Sequence, residues 1–210
     1  MQTVTDRVSN PFGFDPDCEQ FVPGYGDANA DFHVLGDHPG VHGGLDTGVP
    51  FTGTAAVRRL QAALERAGLL ETTGAEPDVA STYLSYRHPC LPEGGEPTPA
   101  SDANMERFAD TEIRAITAHV LLPVGARATQ FVLDNYTAQA RKVDVEMAAL
   151  HGEEIRGAGW LVYPVRDPRE WETGDDETLV EALRELRATD YRRESDLGRF
   201  LPGGDPYRVR

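Results

Sequence analysis

The chain has 210 residues, 40% of them apolar and 26% charged, and a net charge of −15. That length supports one domain with a sizeable core. No apolar run approaches twenty residues, which excludes a membrane-spanning helix. Two cysteines, Cys18 and Cys90, suggest no disulfide framework in a reducing compartment and cannot alone make an all-cysteine zinc or iron–sulfur site; both are read as plain residues.

Met1 to Pro23 is an irregular, proline-containing segment. Asp31 to Leu35 reads as a buried strand that opens into a glycine-rich loop, and a helix follows from about Thr54, with Val57, Leu60, Ala63 and Leu64 on one face and Gly68 as its stop. Val79 to Tyr86 is rich in strand formers and leads into the loop His88 to Pro99. Ser101 is placed to cap the next helix, whose stripe includes Met105, Phe108, Ile113 and Ile116. His119 to Val124 has the continuous apolar character of a strand covered on both faces. Gly125 then opens a short helix over Ala126 to Asn135. An extra edge strand is expected over Lys142 to Ala149 and a buried strand over Gly159 to Pro164. A helix with core positions Leu179, Leu183 and Leu186 spans Asp176 to Thr189, and an irregular Arg-rich tail runs from Tyr191 to Arg210. Strands alternating with helices predict an α/β fold: a three-layer α/β/α sandwich around a mainly parallel four-stranded sheet. No linker divides the chain, so residues 1–210 read as a single domain with its core over about 24–189.

Of the 20 basic residues only Lys142 is a lysine, against 35 acidic ones. A lysine-poor, carboxylate-rich surface suits a cytoplasm full of salt, and the chain is read as a halophile's cytoplasmic protein; an ordinary acidic cytosolic protein is the alternative. High salt already weakens phosphate contacts, so the acidity leaves nucleic acid open as a partner, bound through shape and pockets.

Ligands of open α/β sheets sit beyond the carboxyl ends of the strands. Asp37 and His38 stand there, in a loop with Gly36, Gly40, Gly43, Gly44 and Gly48, stiffened by Pro39 and Pro50 and carrying Phe51. Asp37 can act on a ligand or bond its own loop. His38 can donate to a base or phosphate. His42 and His88 read as solvated side chains. Phe51 is either a stacking face or a core plug. Gly125 and Arg127 begin a helix at a place suited to a phosphate, or simply pack a tight turn.

The blocks Asn10–Cys18, Val22–Gly40 and Thr47–Gly53 (NPFGFDPDC, VPGYGDANADFHVLGDHPG, TGVPFTG) resemble the uracil-DNA glycosylase superfamily, in particular its thermophile-type, iron–sulfur-containing branch. The loop HPCLPEGGEPTP and the stretch HVLLPVGARATQFVL resemble later family elements, and the resemblance runs over roughly Asn10 to Thr189. It implies that Asp37 orients the attacking water, that Phe51 stacks on a base flipped from DNA, and that the loop residues Gly36, Pro39 and Gly40 approach the DNA. The family's Asn at the end of the second strand is missing, leaving Thr82, Ser85 or Arg87 to touch the base edge. Its final His is also missing, leaving Arg166 as the surviving cation for the leaving base or a phosphate, unless Arg166 simply pairs with Asp167 or Glu170. The cluster cysteines are absent as a set, so no cofactor and no metal is expected. The expected protein is a monomer that binds DNA with a flipped base and uses no membrane. Two rival readings stand beside it: a non-catalytic DNA- or nucleotide-binding module on the same fold, and an α/β hydrolase for another small substrate.

Overall fold

The computed structural model describes residues 4–198. Its strands are β1 (Tyr25–Gly26), β2 (Phe32–Gly36), β3 (Thr82–Tyr86), β4 (Val120–Pro123), β5 (Ile155–Gly157) and β6 (Trp160–Val162), in the sheet order β1-β3-β2-β4-β6-β5. The central four, β3-β2-β4-β6, are parallel, as expected. Two short antiparallel edge strands widen the sheet from four strands to six. The helices are α1 (Pro39–His42), α2 (Ala55–Arg66), α3 (Pro99–Ile116), α4 (Ala126–Tyr136), α5 (Met147–Leu150), α6 (Asp175–Arg187) and α7 (Tyr191–Gly198).

Strand parity divides the core into two layers. Phe32 and Val34 of β2, with Leu84 and Tyr86 of β3, meet the apolar stripes of α2 (Val57, Leu60, Leu64) and α6 (Leu179, Leu183, Leu186). Leu35, Leu121 and Val162 face the other way, against Ile113 of α3 and Val132 and Leu133 of α4. The result is helices on both faces of the sheet, with the carboxyl ends of the four parallel strands at one edge.

Several expectations need correction. The cap of α3 is Thr98, whose side chain accepts from Ser101 N–H while Ser101 reaches back to Thr98 N–H; Ser101 is the third residue of the helix, because Pro99 fits the first helical position. Lys142 to Ala149 contains no strand; it is turn and irregular chain leading into α5. The edge strand is β5, which hairpins back onto β6. Tyr191 to Gly198 is helical, tied to the amino end of β2 by Arg192, which pairs with Asp31; residues 199–210 of the expected tail lie outside the described residues.

The cysteines also depart from expectation. Cys18 and Cys90 form a disulfide across a separation of 72 residues. A short antiparallel bridge, with Val22 N–H to Pro89 O and Leu91 N–H to Gln20 O both at 2.9 Å, lays the N-terminal segment beside the loop after β3. That pairing places the two Cα atoms 6.2 Å apart, a normal disulfide span. Nothing in the local sequence around either cysteine encodes it.

Candidate active site

β2 alternates its side chains so that His33, Leu35 and then Asp37 point toward α3. Asp37, the first residue past the strand, is nearly buried. Its Oδ1 accepts from Arg87 Nε at 2.8 Å. Arg87 stands just beyond β3, pinned by its N–H to Gly36 O at 2.9 Å. Arg127, in the first turn of α4, brings its Nε to 3.5 Å from Asp37 Oδ2. His38 Nε2 lies 4.0 Å from the same oxygen.

Pro39 starts α1, and this single turn folds His42 back under the site. Asp37 N–H donates to His42 Nδ1 at 3.1 Å. That nitrogen therefore carries no proton, and Nε2 faces Asp167 Oδ2 at 3.5 Å. Burial pushes the Asp167 carboxyl up, but the nearby His42 ring and the hydrogen bonds from Arg169 outweigh it and hold the group below the usual carboxylate range. Burial lowers the His38 imidazole to about 4, against the pull of Asp37, so at neutral pH it is uncharged. Both His38 ring nitrogens lack a hydrogen-bond partner. Such buried, unsatisfied groups are rare and call for an explanation.

His38, His42 and His88 are all buried, which corrects the solvated reading of the last two. His88 Nδ1 is 2.8 Å from Cys90 O and fixes the loop. Gly36 is needed for packing: a Cβ there would stand 2.7–2.8 Å from Tyr86, His42 and Phe51. Gly40 packs under the His38 ring and Leu91. Gly125, at φ 84°, caps α4 and donates to Val165 O at 2.8 Å, so it joins the loops after β4 and β6.

The expected base-binding set is only partly brought together. Arg87 reaches Asp37. Phe51 is fully buried, stacked on His42 with ring centroids 5.6 Å apart and tilted against Tyr86 at 5.2 Å, and its N–H donates to Tyr86 Oη at 2.7 Å. It is the core plug, with Tyr86 occupying the space beside it. Thr82 sits at the opposite, amino end of β3 and donates to Ala80 O. Ser85 is buried beneath the edge at 2.8 Å from His33 Nε2. Arg166 pairs with Glu172 at 3.2 Å and Asp175 at 3.1 Å, a salt-bridge role with other partners than those expected. Asp102 and Asp167 were missed because only the tertiary fold brings them to this edge. Among the described residues no group of three or more His, Cys, Asp or Glu side chains is arranged for a metal ion.

Below the site, Glu112 of α3 is buried against Tyr83 Oη at 2.8 Å and within reach of Ser85. Burial raises its carboxyl to about 7, against hydrogen bonds from Tyr83 and Ser85. The folded protein thus holds a proton that the unfolded chain releases near the ordinary value of 4.5. The stability this contributes is complete below that value and is lost as pH rises to about 7. Glu112→Gln removes the ionisation, so at about pH 8 it is expected to be more stable than wild type by up to about 3 kcal/mol. Urea unfolding at about pH 5 and pH 8 checks this; a variant no more stable at the higher pH contradicts it.

A model of the uracil DNA glycosylase superfamily matches residues 23–187. The chain is 29% identical over 170 residues to a type-5 uracil-DNA glycosylase of Pyrobaculum aerophilum, covering 79% of this chain and 73% of that protein. It is 31% identical over 120 residues to a type-5 enzyme of Thermus thermophilus, 55% of each chain. A Mycobacterium bovis type-5 enzyme is 32% identical over 119 residues, 53% of this chain and 44% of its own.

Proposed function

Because this chain belongs to the uracil-DNA glycosylase superfamily, we propose that it hydrolyses the N-glycosidic bond of uracil, or of another damaged base, in DNA, with a water held between Asp37 and His38. The observation that carries this reading is the 4.0 Å gap between Asp37 Oδ2 and an unpartnered His38 Nε2. One water can bridge that distance. The base must first leave the stack, at a cost of a few kcal/mol. As the C1′–N bond breaks, its electron pair leaves with the base and the sugar becomes cationic. The Asp37 carboxylate stabilises that cation. The water oxygen then bonds to C1′ while its proton passes to the neutral His38.

No step runs through a cluster. An iron–sulfur cluster of the kind the resemblance implies takes four thiolates, whereas this chain has two cysteines, joined to each other. The partner in this reading is DNA with a flipped base, met by a monomer. The lysine-poor, acidic composition is read as adaptation to a salty cytoplasm, so assays belong in molar KCl.

A panel of oligonucleotides carrying uracil or hypoxanthine, run beside free nucleosides at enzyme excess, tests the reading. Free uracil and an abasic strand are expected; turnover of nucleosides alone would move the activity to a small substrate. The second reading, binding without turnover, is favoured by Phe51, which has no free stacking face, and by Ser85, which is committed to the core. It predicts retention of DNA with no released base.

A further inference from the structure

Asp37 does not stand alone with Arg87. Arg87 Nη2 donates to Asp102 Oδ2 at 2.7 Å, and Arg127 Nη2 donates to the same oxygen at 3.2 Å. With Arg87 Nε on Asp37 Oδ1 at 2.8 Å and Arg127 Nε 3.5 Å from Asp37 Oδ2, the four side chains close a ring of alternating charge. Its members come from the ends of β2 and β3 and the first turns of α3 and α4. Asp37 and Arg87 form the buried half, and Asp102 and Arg127 the partly exposed rim.

Ion pairs drawn out of water add little net stability, and their best-attested use is to fix a geometry. Charge points the same way. Arg87 alone would neutralise Asp37. Across the whole cluster, the two guanidiniums face three carboxylates, since Arg127 Nη1 also donates to Glu96 at 2.8 Å. Two cations against three anions leave the cluster net negative beside a sugar that becomes cationic.

We propose that Asp102 is a positioning residue for the glycosidic reaction: through Arg87 and Arg127 it fixes the Asp37 carboxylate and keeps the net charge of the cluster negative. This rests on the proposed hydrolysis at Asp37. Asp102→Asn keeps the shape but makes the cluster neutral and removes the anion that both arginines share. A catalytic group shifted by even about 1 Å through a distant change can lose on the order of 10²-fold in rate.

The test uses wild type, Asp102→Asn and Asp102→Glu with a uracil-containing duplex. Asp102→Asn is expected to lower the single-turnover rate by up to about 10²-fold with little change in duplex affinity, and Asp102→Glu to recover part of it. A rate equal to wild type, or equal losses of rate and affinity that Glu does not mend, overturns the proposal. The Arg87 Nε–H signal in ¹⁵N spectra reads the ring without any activity. It should be protected from exchange in wild type and lose that protection in Asp102→Asn; an unchanged signal also overturns the proposal. A wild type that shows the protected signal but releases no base would count against the hydrolytic reading rather than against the ring.

Discussion

Asp37→Asn is expected to lower the single-turnover rate of uracil release by on the order of 10³ while leaving duplex affinity within a few-fold of wild type. The substitution is isosteric, and Asn can still accept from Arg87 Nε through its amide oxygen. It removes a buried carboxylate that faces His38, and with it the charge that would stabilise a cationic sugar. Because that charge matters in the transition state and much less in the ground state, the loss should fall on the chemical step. Rate measured at enzyme excess, with affinity from fluorescence anisotropy of the same duplex, separates the two. Equal excision by the variant and wild type would remove Asp37 from the mechanism and leave it as the turn residue that bonds its own loop. A loss of affinity matching the loss of rate would make it a binding group.

Breaking the Cys18–Cys90 bond is expected to destabilise the protein by about 4 kcal/mol, the chain-entropy value for closing a loop of this size. For a domain of this length that corresponds to a fall in melting temperature on the order of 10 °C. The bond sits where it should matter. It clips the N-terminal segment beside the β3 loop, whose next residue, Leu91, packs close to Gly40, as the His38 ring does. Thermal unfolding of Cys18→Ser, and of wild type with and without reductant, checks this. Reductant should move wild type toward the variant and leave Cys18→Ser unchanged. If reductant has no effect on wild type and free-thiol titration finds two thiols before reduction, the bond does not form in solution.

The architecture was legible because it rests on periodicity. The apolar spacing in α2 and α6, the Phe, Val and Leu of β2 and the continuous apolar run of β4 report their own burial. The two edge strands were hidden because runs of two and three residues carry no period. At the site, Asp37 and its strand-end position were readable, but its partners were not. Thr82 fails by distance along the strand, at the amino end of β3, whereas Ser85 shares the parity of Arg87 and fails by depth, consumed by His33 and Glu112. Phe51 adopts a positive φ of 58° that turns its ring into the core, which no spacing rule anticipates. His42 looks like a solvated loop histidine until α1 folds it onto Asp37 N–H. The Asp102 link needs α3 docked on the sheet, a contact 15 residues from Arg87 in sequence.

In the proposed reaction, base release takes place at the carboxyl edge of β2, between Asp37 and His38. The most direct measurement is a crystal structure of Asp37→Asn bound to a uracil-containing duplex, with the slow variant keeping the substrate intact. The flipped deoxyuridine is expected with its C1′ facing residues 37 and 38 and an ordered water on His38 Nε2. A nucleotide seated elsewhere, such as the groove lined by Arg59, Arg66, Trp171 and Asp176, would contradict it.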